Sequence, residues 1–178
     1  MMQESVSGSW FVSSTRYGPL VHAELAITQE NSGQLVALVR QKAKQIAEEA
    51  RLDWIISDGP AGMGNPVISA LFEASLALLV TEPTLPGISG LERTLSICHR
   101  FRVPALVCIN KYDINENHAR HIESLCLSQG IDIAARVPFD EAVTRAAVQG
   151  IPVVEYSDNG VSQQIRALWE FILKALEN

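Results

Sequence analysis

The chain is 178 residues long, with 47% hydrophobic and 19% charged side chains, a formal net charge of −6 and a pI near 5.2. Such a composition belongs to a folded chain rather than a disordered one, and the length suits a single domain. The acidic balance lacks the clustered Lys and Arg of nucleic-acid binders, and no apolar run reaches the roughly 20 residues of a membrane span.

Met1 to Ser9 is polar and lacks the charged-then-apolar order of a secretory signal, so a cytoplasmic protein is expected. Trp10 to Ser14 and Val21 to Leu25 read as short strands around the turn-forming Thr15-Arg-Tyr-Gly-Pro19, giving a hairpin or edge pair within residues 1–30. Gln34 to Ala50 carries Leu35, Leu38, Val39, Ala43, Ile46 and Ala50 at helical spacing. A strand is predicted over Trp54 to Ser57, followed by Asp58-Gly-Pro-Ala-Gly-Met-Gly64. Asn65 before Pro66 then predicts an N-cap and a helix to about Glu73.

Beyond it, Leu76 to Thr81 is the next predicted strand, with a helix marked by Ile88, Leu91, Leu95 and Cys98. Ala105 to Asn110 is another strand, with a helix marked by Ala119, Ile122, Leu125 and Cys126 and stopped by Gly130. Ile133 to Val137 follows, then a helix from an Asp140 cap to Gly150, a short strand near Val153 to Glu155, and a C-terminal helix with Ile165, Leu168, Trp169, Ile172 and Leu176 inward. Strands apolar on both faces alternating with amphipathic helices predict an α/β fold, a mostly parallel sheet with helices on both faces.

Cys98, Cys108 and Cys126 are an odd count without C-x-x-C spacing, which argues for buried thiols and against a disulfide framework or a self-contained metal site. His118 and His121 lie three apart on a predicted helix and read as two solvated side chains.

Three features point to chemistry. Asp58 at a strand's carboxyl end, leading into a Gly-rich loop with Gly59 and Gly62, has the position at which open α/β sheets bind ligands; such an acid can hold Mg²⁺ near phosphates, or simply cap a turn. Asn110-Lys111-Tyr112-Asp113 places an amide that can pair with a base edge, a Lys stem that can lie along a ring, and a carboxylate that accepts paired N–H groups; the alternative is a solvated loop whose Asp113 caps the next helix. Val80-Thr-Glu-Pro-Thr84 and Val137-Pro138-Phe-Asp140 follow neighbouring strands and bring further loops to the same edge.

The segments TRYGPLVHAEL, ENSGQLV, ISDGPAGMGNPV, VTEPTLPGISGLER, PALVCINKYD and VPFD occur in order from about Ser9 to Glu155. Together they resemble the C-terminal portion of MinD superfamily P-loop ATPases that carry an inserted ferredoxin-type domain, relatives of MinD, ParA and Mrp. The resemblance implies a P-loop sheet lacking its P-loop strand, Mg²⁺-ATP held between two subunits, and cytoplasmic iron–sulfur or metal-cofactor work. It assigns Asp58 to Mg²⁺ and water positioning, Gly59 to Gly62 to a switch loop, Asn110 to adenine, and Pro138 to the loop flanking the base; it does not make Asp113 a base reader.

The chain departs from that family where phosphate is bound. A phosphate loop requires G-x-x-x-x-G-K-[S/T], and no Gly-Lys dipeptide occurs here. Nor does the chain hold the clustered cysteines of [4Fe-4S] centres, while Gln34 and Asn65 stand where Lys and Cys are expected. Autonomous ATP hydrolysis is therefore not expected. The expected partners are a second copy or a separate chain bearing the P-loop or the ferredoxin domain, with Trp54 to Ser57 and Leu76 to Val80 either pairing directly or recruiting that chain. The rival readings are a non-catalytic dimerisation or docking module and a receiver-type domain; the latter is disfavoured because Glu4 is followed by no acid until Glu24.

Overall fold

A computed structural model describes residues 8–25, 32–60, 62 and 64–177. It divides into two compact units, Met1–Phe72 and Glu73–Asn178.

In the first unit, β1 (Gly8–Thr15) and β2 (Gly18–Leu25) form an antiparallel hairpin that pairs Val12 with Val21 and Phe11 with His22. Helix α1 (Ser32–Ala50) packs on β2 and on α2 (Asn65–Leu71). Gly33 permits the close approach of the two helices, since a Cβ there would stand 3.0 Å from the Asn65 Cβ. Arg40 donates to the carbonyls of Ala70 and Phe72, tying α1 to the end of α2. Of the predicted inner face of α1, Leu35, Val39, Ala43 and Ile46 are partly buried, next to the buried Ala47, whereas Leu38 and Ala50 are exposed. The N-cap of α2 is Gly64 rather than Asn65, because the Gly64 carbonyl receives the Val67 and Ile68 N–H groups and places Asn65 within the first turn.

The predicted strand Trp54 to Ser57 does not form. Residues 51–60 are exposed and outside any helix or strand, and Ile56 is 80% exposed. A β-branched run has strand character only against a neighbour that satisfies its backbone, and none of the described strands pairs with it.

The second unit is the parallel sheet. Strands β3 (Ala77–Thr81), β4 (Ala105–Asn110) and β5 (Asp132–Val137) lie in the order β3-β4-β5, with Thr81 opposite Ile109 and Asn110 opposite Val137. Side chains alternate across a strand, so β4 feeds two cores. Val107 and Ile109 pack with Ile88, Leu91 and Leu95 of α3 (Leu85–Phe101) and with Ala119, Ile122 and Cys126 of α4 (Glu116–Ser128). On the other face, Cys108 packs with Ala135, Val137 and Val161, backed by Ile165 and Leu168 of α7 (Gly160–Glu177). Helices thus cover both faces, the predicted α/β architecture. Gly130 and Gly150, at φ +67° and +66°, follow α4 and α5 (Glu141–Val148), where a left-handed residue ends a helix at least cost.

Two predictions in this unit are corrected. Val153 to Glu155 is not a strand but part of a short helix, α6 (Val153–Tyr156). Pro152 starts it by accepting the Glu155 and Tyr156 N–H groups, while Ser162 and Arg166 of α7 donate to the Val153 and Val154 carbonyls. Trp169 lies at the rim of α7, 38% exposed, rather than on its inner face. Among the described strands β3 lies at the edge of its sheet, with Val80 60% exposed.

Candidate functional site

Because β3, β4 and β5 are parallel and end level with one another, the loops Glu82–Thr84, Lys111–Asn115 and Pro138–Asp140 gather at one edge of the sheet. Each is fixed by its own sequence. In the first, the Thr84 hydroxyl accepts the Gly87 N–H at 3.1 Å and caps α3, and Thr81 Oγ1 donates to the Gly87 carbonyl at 3.0 Å. Gly87 must lack a side chain: a Cβ would fall 2.2 Å from the Glu82 carbonyl oxygen. In the second, Asn115 Oδ1 accepts the His118 N–H at 3.0 Å and caps α4. In the third, Asp140 Oδ1 accepts the Ala142 N–H at 2.7 Å and caps α5.

The loops are also tied to one another. Lys111, in the left-handed region at φ 51°, turns its ammonium onto Glu82, with Nζ 2.7 Å from Oε1. Asp113 Oδ1 accepts the Phe139 N–H at 2.8 Å. His118 Nδ1 lies 3.2 Å from the Pro83 carbonyl oxygen, which can only accept, so that nitrogen carries the proton. His118 is therefore partly buried and engaged, whereas His121 is exposed, which corrects the reading of both as solvated. Asp113 does not cap α4, since Asn115 does.

Among the residues singled out from sequence, Asn110, Lys111, Asp113 and Pro138 are brought together in this second unit. The Asn110 amide makes no hydrogen bond to a described residue and is only half-buried, so both its donor and its acceptor remain available. Asp58, Gly59 and Gly62 belong to the exposed loop of the first unit, where Gly62 has φ +109°; Ala61 and Met63 of that loop lie outside the described residues. From sequence, Val80 to Thr84 is expected as a loop at this edge and His118 as a solvated side chain, with no individual role for Glu82, Thr84, Gly87 or His118; the T-E-P-T-x-P-G order at a strand's end is the signal that points to the first three.

The donor set suits one side of a nucleotide better than the other. An amide with a free donor and acceptor fits a base edge. Among the described residues no three His, Cys, Asp or Glu stand together as metal ligands, and Mg²⁺ is ordinarily held by one or two carboxylates together with substrate phosphates, so Asp58 is a single candidate ligand without a phosphate cradle. Cys98, Cys108 and Cys126 are buried free thiols in the core; burial pushes the Cys108 thiol up to about 11 and raises the other two.

No family model matches the chain. Among curated proteins it is similar to the uncharacterized protein MJ0578 of Methanocaldococcus jannaschii, 28% identical over 152 residues that make up 85% of this chain and 50% of the relative. It is also similar to an iron-sulfur cluster carrier protein of Pyrococcus abyssi, 25% identical over 79% of this chain and 53% of the relative. A third relative is the septum site-determining protein MinD of Thermotoga maritima, 27% identical over 65% and 45%. The chain spans about half the length of these relatives. Among solved structures, MinD of Pyrococcus horikoshii complexed with Mg-ADP superposes with a TM-score of 0.66 at 22% identity, covering 80% of this chain and 57% of that one. The MinC:MinD complex of Aquifex aeolicus gives 0.66 at 18%, covering 92% and 66%. Its sequence relatives, on a fold shared with the solved MinD structures, place this chain in the MinD/ParA superfamily of P-loop ATPases.

Proposed function

We propose that this chain carries the base-binding side of a Mg-ATP site of the MinD/ParA type. In the second unit, Asn110 pairs with the edge of adenine and Lys111 and Pro138 flank the base; in the first unit, Asp58, with Gly59 and Gly62 as a switch loop, takes the Mg²⁺ and water-positioning role that the family resemblance assigns to it. When bound, Mg²⁺ would supply charge neutralisation at the phosphates. The observation that carries this reading is the unpaired Asn110 amide at the carboxyl end of β4, beside a loop held in place at Pro138–Phe139. Hydrolysis needs a phosphate-binding loop that these 178 residues do not spell, so the chain alone binds nucleotide weakly and releases no phosphate above background. The names of the iron-sulfur cluster carrier relatives support a role in iron–sulfur or metal-cofactor work; the reading places that role in the cytoplasm, together with a P-loop-bearing or ferredoxin-bearing chain.

The test is titration of the whole chain with Mg-ATP, followed calorimetrically. Measurable binding that disappears in Asn110→Ala is the expected result; equal heats from both proteins would remove Asn110 from the base site.

A second reading, a docking or dimerisation module without catalysis, draws on a different observation. Ile55 and Ile56 are exposed, and among the described strands β3 ends its sheet with Val80 exposed. Unpaired edges of this kind are templates for association. This reading expects oligomers by light scattering without nucleotide, and no shift in melting temperature on adding Mg-ATP.

A further inference from the structure

The order Asn110-Lys111-Tyr112-Asp113 is one in which the carboxylate could accept the two adjacent N–H groups of a guanine edge, which adenine lacks. The contacts of these side chains divide the work differently. Asp113 Oδ1 is committed to the Phe139 N–H at 2.8 Å, joining the loop after β4 to the loop after β5. Lys111 is committed to Glu82 at 2.7 Å, joining the same segment to the loop after β3. Tyr112 packs against the core under α3 and α4. Asn110 alone has no described partner.

We propose that Asp113 is a positioning residue that braces the Pro138–Phe139 loop beside Asn110, and that it does not select guanine. The proposal rests on the base site assigned to Asn110 above. A bond from an ionised carboxylate to a backbone N–H is about twice as strong as a neutral one. It is placed where it counts, because Pro138 has a fixed φ and no N–H of its own, so the Phe139 N–H is the first backbone donor after β5 that can anchor the loop. Asn110 and Val137 are paired across adjacent strands, which leaves Pro138 one residue beyond the pairing. The bond to the Phe139 N–H takes one lone pair of Oδ1 and fixes the carboxylate towards the loop after β5, so it is not free to turn both oxygens onto a guanine N–H pair, while the Asn110 donor and acceptor serve either purine.

Titrations of the ¹⁵N-labelled whole chain with AMP, GMP and XMP, followed by NMR, separate the possibilities. AMP is expected to shift the Asn110 side-chain amide with GMP no stronger than AMP, and D113N should weaken both alike without gaining XMP. In D113A, exchange of the Phe139 amide should quicken by about tenfold, the size of one lost charge-assisted bond. A gain of XMP binding in D113N would make Asp113 a base reader and overturn the proposal, as would unchanged Phe139 exchange in D113A. If no nucleotide moves Asn110 yet Phe139 loses protection in D113A, the brace stands and the base site is what fails.

Discussion

Cys108 carries a consequence that its position in the sheet makes measurable. Its thiol is enclosed between β4 and α7, and burial raises its pKa from 9.0 to about 11 because the low-dielectric core penalises the thiolate. Below pH 9 the folded and unfolded chains both hold the proton, and the stabilisation is complete. Between pH 9 and about 11 the unfolded chain loses it first, so stability falls as pH rises through that window. The loss for Cys108 is on the order of 2 kcal/mol, with smaller losses of the same sign from Cys98 and Cys126. Urea unfolding at pH 8, 9, 10 and 11 should show this decline, and Cys108→Ala should be less stable at pH 8 but show a shallower one. By the same argument the three thiols should resist alkylation in the native state at pH 8, since the thiolate is the nucleophile. Rapid labelling of Cys108 would show that the sheet opens readily there.

At the scale of elements, the turn from β3 into α3 is the tightest joint of the site. The Glu82 carbonyl, Thr81 Oγ1 and Thr84 Oγ1 all crowd the place where a side chain on Gly87 would sit, at 2.2, 3.1 and 3.1 Å. Gly87→Ala must displace backbone rather than a flexible side chain, so a loss of at least about 2 kcal/mol is expected in urea unfolding, by overpacking. Because Glu82 would move with that carbonyl, the Glu82–Lys111 pair should loosen as well, and nucleotide affinity should fall together with stability. Gly90→Ala is the matched control, since a Cβ there meets nothing within 4 Å. Helix propensity by itself would make Gly90→Ala neutral or stabilising by up to about 1 kcal/mol, so an equal loss from both substitutions would remove the joint as the cause. Strand β4 and helices α3 to α5 were legible from the residues alone, because their apolar spacing and their caps agree: Thr84, Asn115 and Asp140 each receive a backbone N–H of the following helix, although only Asp140 was named in advance. The Val153 to Glu155 segment was misread because three residues carry no period, and Pro152 with the Ser162 and Arg166 donors decided in favour of a helix.

For the whole molecule, the described sheet ends on one side at β3, and the apolar run Trp54 to Ser57 stands exposed in the other unit. If these surfaces recruit another chain, Ile56→Lys should dissociate oligomers seen by light scattering while leaving the melting temperature within about 1 °C, because a side chain already 80% exposed contributes little to its own fold. An oligomer unaffected by Ile56→Lys would place the interface elsewhere. The sequence alone determined the α/β class, the three paired strands and the identity of the residues at their carboxyl ends, because apolar periodicity and capping are local properties of the chain. Only the tertiary structure decided that Trp54 to Ser57 is not a strand, that His118 is engaged with Pro83, and that Lys111 and Asp113 are already partnered while Asn110 is not. Those outcomes depend on which distant backbone groups and charges come within hydrogen-bonding reach, a property that no local pattern encodes.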